Sequence, residues 1–165
     1  MRSALLAACL LLPVLPARAA GPEPAVPRFE DFPAGPAYAG RNRLVLKGND
    51  VHWRTRLRWT LDQKPDFAGH YVLASWGCGA ECVMGAAVDV RTGAVVWLPG
   101  SLCCWFSDEQ RAPEDVEPLR YRLDSRLLVL SGRRNERDGD AGTHYYAIEG
   151  SRFVLLRDLP PAGRP

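Results

Sequence analysis

Four cysteines in two close pairs, Cys78/Cys82 and Cys103/Cys104, carry the most readily named chemistry in this chain. Each could serve as a nucleophile, a metal ligand or half of a disulfide. The first pair brackets a glycine turn at the end of Phe67 to Cys82, FAGHYVLASWGCGAEC. Across a straight strand the two could not be joined, because four residues at a rise of about 3.3 Å exceed the Cα separation of about 4.4–6.8 Å that a disulfide needs. A turn at Gly79-Ala80 removes that obstacle. Cys103 and Cys104 could form a vicinal bridge. Alternatively, cross-bridges from Cys78 or Cys82 to Cys103 or Cys104 would pin a long loop to the central hairpin. All three connectivities are open at this level.

Other uses of these residues need partners. A nucleophilic cysteine requires a histidine and an orienting carboxylate or amide. His70 is placed to approach Cys82 across a hairpin, and His144 follows Asp138 and Asp140. A redox role for Cys78/Cys82 lacks the βαβ pattern that surrounds thioredoxin-like pairs. A zinc site built from the four cysteines with His70 lacks a knuckle spacing. Glu81 lies inside the cysteine turn, and Asp108, Glu109, Glu114, Asp115 and Glu117 cluster further on, a pattern that fits a solvated loop better than acid/base catalysis. Asp138-Gly139-Asp140 lacks the twelve-residue ligand spacing of an EF-hand. No metal or cofactor is expected. The aromatic residues Trp76, Trp97, Trp105, Phe106, Tyr145 and Tyr146 fall on strands and on the loop carrying the second cysteine pair. Trp76, Trp105, Phe106, Tyr145 and His70 are the candidate binding residues, lining a groove for a glycan, a peptide or an envelope protein.

Compartment decides how the cysteines are read. Arg2 precedes the apolar run Ala4 to Leu15, and Ala17-Arg18-Ala19 fits a small-x-small cleavage site, so residues 1–19 read as a signal peptide cut before Ala20. The run is too short for the roughly 20 residues of a transmembrane helix. Leu6-Ala7-Ala8-Cys9 resembles a lipobox and gives a lipoprotein alternative anchored at Cys9. Export to the periplasm or the medium favours disulfides among the remaining four cysteines. The chain of 165 residues is 47% hydrophobic and 24% charged, composition for one domain with a real core. Its net charge of +2 falls to zero when Arg2 and Arg18 leave (+2 − 2 = 0), which argues against a nucleic-acid partner.

These side chains must be positioned by short strands. Residues 20–42 are rich in Pro and Gly and form an extended lead-in, with Phe29 and Phe32 able to dock. Arg43 to Lys47 is a strand candidate. The body spans 43–158, with strands expected at His70 to Ser75, Val83 to Val90, Ala94 to Leu98, Arg120 to Leu123, Arg126 to Ser131, Thr143 to Ile148 and Arg152 to Leu156. Pro99 to Pro118 reads as irregular, Gly132 to Gly142 as a charged loop, and 159–165 as a flexible tail. On local periodicity, Val51 to Asp62 alternates like a strand, although Trp53, Leu57 and Leu61 also make a helical stripe.

Phe67 to Tyr71, Trp76 to Cys82, Asp89 to Gly93 and Leu123 to Val129 together resemble a family of small exported bacterial proteins of unknown function, over roughly Val51 to Leu156. The resemblance implies no activity. It implies a helix before the Phe67-Ala68-Gly69 turn, over about Arg54 to Asp62, against the local alternation.

The expectation is therefore a mainly β domain. An antiparallel meander forms a sandwich or barrel-like sheet, with one short helix before the central hairpin and disulfide staples. A non-catalytic binding or inhibitory envelope protein is favoured. The alternative is a cysteine- or carboxylate-dependent enzyme, or a redox protein, using Cys78/Cys82 or Glu81 with His70.

Overall fold

A computed structural model describes residues 25–104, 117–137 and 139–161. The fold is mainly β. Eight antiparallel strands form one sheet: β1 (Tyr71–Gly79), β2 (Cys82–Asp89), β3 (Ala94–Trp97), β4 (Leu102–Cys103), β5 (Leu119–Tyr121), β6 (Leu127–Arg134), β7 (Ala141–Glu149) and β8 (Arg152–Leu159). The main path runs β1-β2-β4-β6-β7-β8, with β3 beside β2 and β5 beside β6. The short β4 is the joint, because it pairs with β2 on one side and β6 on the other. About this joint the sheet folds on itself, bringing β3 near β8. Among the described residues the sheet does not close, since β1 pairs only with β2 and β5 only with β6.

The apolar residues of β1 explain why both faces are covered. Tyr71 and Leu73 point inward to a core shared with Phe67, Ala87, Val96, Leu102, Leu128, Leu130, Tyr146 and Ile148. Val72, Ala74 and Trp76 point outward and pack with Leu57, Ala86, Val88 and Val90. The outer cover is a continuous helical run: a 3-10 turn at Gly48–Trp53, α1 (Arg54–Arg58) and a further 3-10 turn at Trp59–Asp62. Leu57 is fully buried, whereas Val51, Trp59 and Leu61 are exposed, so the period-2 alternation does not describe this segment. Trp53 stacks against Trp76 and Trp97 at centroid distances of 5.2 and 6.1 Å. The Trp97 Nε1–H donates to Asp50 Oδ1 at 2.9 Å, tying the segment to β3.

A second patch of the outer face, Leu127, Val129 and Tyr145, is covered by Phe29 and Phe32 of the lead-in and by Leu159. The Ser125 hydroxyl donates to the carbonyls of Phe29 and Phe32, which anchors the lead-in. The Phe67-Ala68-Gly69 corner is tied to the chain beyond β5, as Ala68 N–H donates to Arg122 C=O and Gly69 N–H to Leu123 C=O. Gly69 has φ +77°, and a Cβ there would lie 2.7 Å from the Gly35 carbonyl oxygen, so both backbone shape and space favour glycine.

Several sequence expectations are corrected. Arg43 to Lys47 is not a strand. It lies beside the β2–β3 turn through two backbone bonds, Arg43 N–H to Val90 C=O and Val45 N–H to Gly93 C=O. The stretch Pro99 to Pro118 contains β4, too short to announce itself by periodicity. Within the expected antiparallel sheet, β3 and β5 branch off the main path. β6 runs on to Arg134 and β7 begins at Ala141, so the charged loop is shorter than expected. β8 extends to Leu159, whose side chain joins the covered outer patch and is not part of a tail.

Candidate functional site

The opening of the sheet is a groove of about 530 Å³ between the free edge of β1 and β5. Leu73 to Trp76 form one wall, Thr55, Arg56 and Trp59 of the helical run another, and Asp66 and Tyr121 close one end. Antiparallel pairing makes alternate residues turn their N–H and C=O to opposite sides. On β1, the backbone groups of Tyr71 and Leu73 turn away from β2: the Tyr71 carbonyl accepts from the Asp66 and Phe67 amides, and Leu73 N–H donates to Asp66 Oδ1 at 2.9 Å. Ser75 has the same parity and is exposed, so its N–H and C=O face the groove. The Asp66 carboxylate thus takes the rung that a neighbouring strand would supply at Leu73, and the rung at Ser75 is open among the described residues.

The side chains around this rung suit a ligand. Trp59 is 53% exposed. Trp76 is 7% exposed, and its Nε1–H has no acceptor among the described residues. A buried indole N–H left unpaired is costly, and a ligand acceptor would relieve it. Burial raises the Asp66 carboxyl above the usual carboxylate range, against the hydrogen bonds from Leu73 N–H and the Tyr121 hydroxyl. Tyr121 is pushed up to about 12, chiefly by burial and then by the Asp66 charge.

The remaining sequence candidates separate. His70 lines a different cavity, of about 340 Å³, with Tyr71, Asp89, Arg91 and Arg126. Its Nε2 lies 3.9 Å from Asp89 Oδ2. Burial, then the Arg91 charge, lowers the His70 pKa below its usual value, against the pull of Asp89. His70 is opposite the end of β2, where its carbonyl accepts from Val90 N–H, whereas Cys82 pairs with Gly79 at the far end of the hairpin. Eight residues of strand between His70 and Cys78 span about 26 Å. His70 therefore does not approach Cys82 as the enzyme alternative requires, and Glu81, exposed in the cysteine turn, is equally remote from it.

Tyr145 is 8% exposed and lies in the patch covered by the lead-in, so it offers no binding surface. Trp97 belongs to the tryptophan cluster under the helical run. Trp105 and Phe106, with Asp108, Glu109, Glu114, Asp115 and Asp138, lie outside the described residues. The cysteines form two local bridges, Cys78–Cys82 with a Cα separation of 5.1 Å, and the vicinal Cys103–Cys104. The alternative cross-bridges are not formed, because Gly79 to Glu81 turns the chain back on Cys78.

Asp140, His144 and Asp158 bring their ligand atoms within 4.8 Å of one another. Arg134 already bonds both carboxylates, and the two ring nitrogens of His144 meet Asp158 and the Gly132 carbonyl. A guanidinium fills the position of a cation here. Burial would lower Arg134, but its bonds to Asp140 and Tyr146 outweigh that and hold it raised.

Comparisons of the chain with protein-family models, curated proteins and solved structures return no match. Sequence reasoning found Trp76 but missed Asp66, Ser75, Trp59 and Tyr121. Nothing local marks them, because they become a site only when β1 turns out to be an edge strand.

Proposed function

We propose that the protein is a non-catalytic binding domain of the bacterial envelope that captures an extended polypeptide segment by adding it to β1. The observation that carries this reading is the open rung at Ser75 inside a groove flanked by Trp59, Trp76 and Tyr121. Strand addition draws affinity from main-chain hydrogen bonds and specificity from pockets for alternate side chains. A peptide residue opposite Ser75 would exchange two backbone bonds with it. The flanking side chains would meet Trp59 and Trp76 on the outer side, and Leu73 and Tyr121 on the inner side. An extended chain supplies donor and acceptor at the ladder spacing, which a glycan does not. The signal-like residues 1–19 and the two disulfides support an exported location.

The test is selection of peptides from a random phage-displayed library on the immobilised protein, followed by affinity measurement on two variants. Ser75→Pro removes the groove-facing N–H and no β1–β2 ladder bond, so it should fold with an unchanged melting temperature and lose at least tenfold in affinity. Ser75→Ala should bind like the wild type. Equal binding by the folded Pro variant, or no enriched peptide, would overturn the proposal.

A further inference from the structure

The two disulfides are neighbours. Cys82 and Cys103 are Cα partners in the β2–β4 ladder. Leu98 N–H donates to Gly85 C=O, so Gly85, and by parity Val83, turn their backbone groups away from β1. Val83 opposite Leu102 is therefore the hydrogen-bonded pair, and Cys82 opposite Cys103 the non-hydrogen-bonded one. Such pairs have Cα atoms about 4.5 Å apart with the side chains close together. That separation is within the range a disulfide spans. Leu102 and Val83 point into the inner core, so both cysteines project from the outer face. The two ends of the series Cys104-Cys103-Cys82-Cys78 are exposed, while Cys103 and Cys82 between them are 3% and 8% exposed. An attacking thiol can therefore approach the exposed end of either bridge, and the two buried cysteines are the ones the ladder pairs.

We propose that the four cysteines form a thiol–disulfide relay that oxidises an external dithiol, a function separate from peptide capture. A thiolate of the dithiol attacks Cys104 Sγ, forming a mixed disulfide and releasing the Cys103 thiolate. Cys103 Sγ attacks Cys82 Sγ. A Cys82–Cys103 bond forms, the Cys78–Cys82 bond breaks, and the electron pair leaves on Cys78, which takes up a proton. The second thiol of the external dithiol then resolves the mixed disulfide, leaving as a cyclic or internal disulfide, and Cys104 takes up the remaining proton. Two electrons and two protons have moved from the dithiol to the protein. The two-electron-reduced state carries thiols at Cys78 and Cys104 and a central Cys82–Cys103 bridge. The exchange depends on the thiolate form of the attacking sulfur at each step.

The wild-type protein tests this directly. It is treated with one equivalent of dithiothreitol, quenched with N-ethylmaleimide, and mapped by peptide mass spectrometry without further reduction. The relay yields label on Cys78 and Cys104 and a cross-linked peptide joining Cys82 to Cys103. Label on Cys103 and Cys104 with Cys78–Cys82 intact would overturn it, as would label on Cys78 and Cys82 with Cys103–Cys104 intact. The Cys104→Ala variant gives a second readout. Its single free thiol should map to Cys78, shifted there from Cys103 by exchange; label retained at Cys103 would refute the internal step.

Discussion

At the scale of single residues, two half-buried ionisable groups carry opposite pH signatures. Asp66 has its pKa raised in the fold, mainly by burial. A raised carboxyl favours the protonated form, so its contribution to stability is full below the unfolded value near 3.8 and is lost as pH rises through the folded value. Asp66→Asn keeps an acceptor for Leu73 N–H and removes the titration. Urea unfolding should show the variant gaining on the wild type as pH rises above about 4. A gap that is constant with pH would contradict this. His70 has its pKa lowered, first by burial and then by Arg91. Its neutral form is favoured by folding, so its contribution is present above about 6.5 and is lost as pH falls through the depressed folded value. In His70→Gln the decline of stability on acidification below about pH 6.5 should be shallower than in the wild type, measured by thermal melts across that range.

At the scale of elements, the helical run from Gly48 to Asp62 shows what local pattern can and cannot carry. Its alternation of Val51, Trp53, Thr55, Leu57, Trp59 and Leu61 imitates a strand. What decides the outcome is the outer face of β1 and β2, which offers Val72, Ala74, Trp76 and Val88 for Leu57 and Trp53 to cover. No window of the segment itself contains that information. Strands β1, β2, β3 and β6 were legible because apolar runs are bounded by Gly, Pro and Asp turns. β4 was not, since two residues have no period, and its role as the joint comes from pairing with two partners. The groove was illegible for the same reason, as an edge is a property of topology. Leu57 and Trp59 separate the two roles of the helical run. Leu57→Ala should cost about 2–5 kcal/mol of unfolding free energy, because the side chain is fully buried. Trp59→Ala should change stability by less than about 0.5 kcal/mol, because the ring is half exposed. If Trp59 lines a peptide site, that same variant weakens peptide affinity about tenfold or more, as truncation of an aromatic anchor does. Denaturant titration and a binding isotherm on each variant check both statements.

At the scale of the molecule, the cysteines contribute less to holding the fold together than export alone would suggest. Their bridges close separations of 4 residues and 1 residue. Chain-entropy arguments assign a loop of the first size about 2 kcal/mol, and a vicinal bridge constrains little beyond its own peptide. The distant parts are joined by other means. The inner core links both halves of the folded sheet, the lead-in is bonded to Ser125, and Tyr71 donates to the Gly150 carbonyl at 2.7 Å. Complete reduction with a phosphine should therefore lower the melting temperature by only about 4–8 °C, with one cooperative transition retained. Unfolding at room temperature on reduction would show instead that the bridges hold the domain together. Bridges that pinned distant segments would have to stay closed for the protein to survive. Local bridges lying side by side at the β2–β4 contact can open and exchange while the sheet stays folded, which is the condition a relay through Cys82 and Cys103 requires.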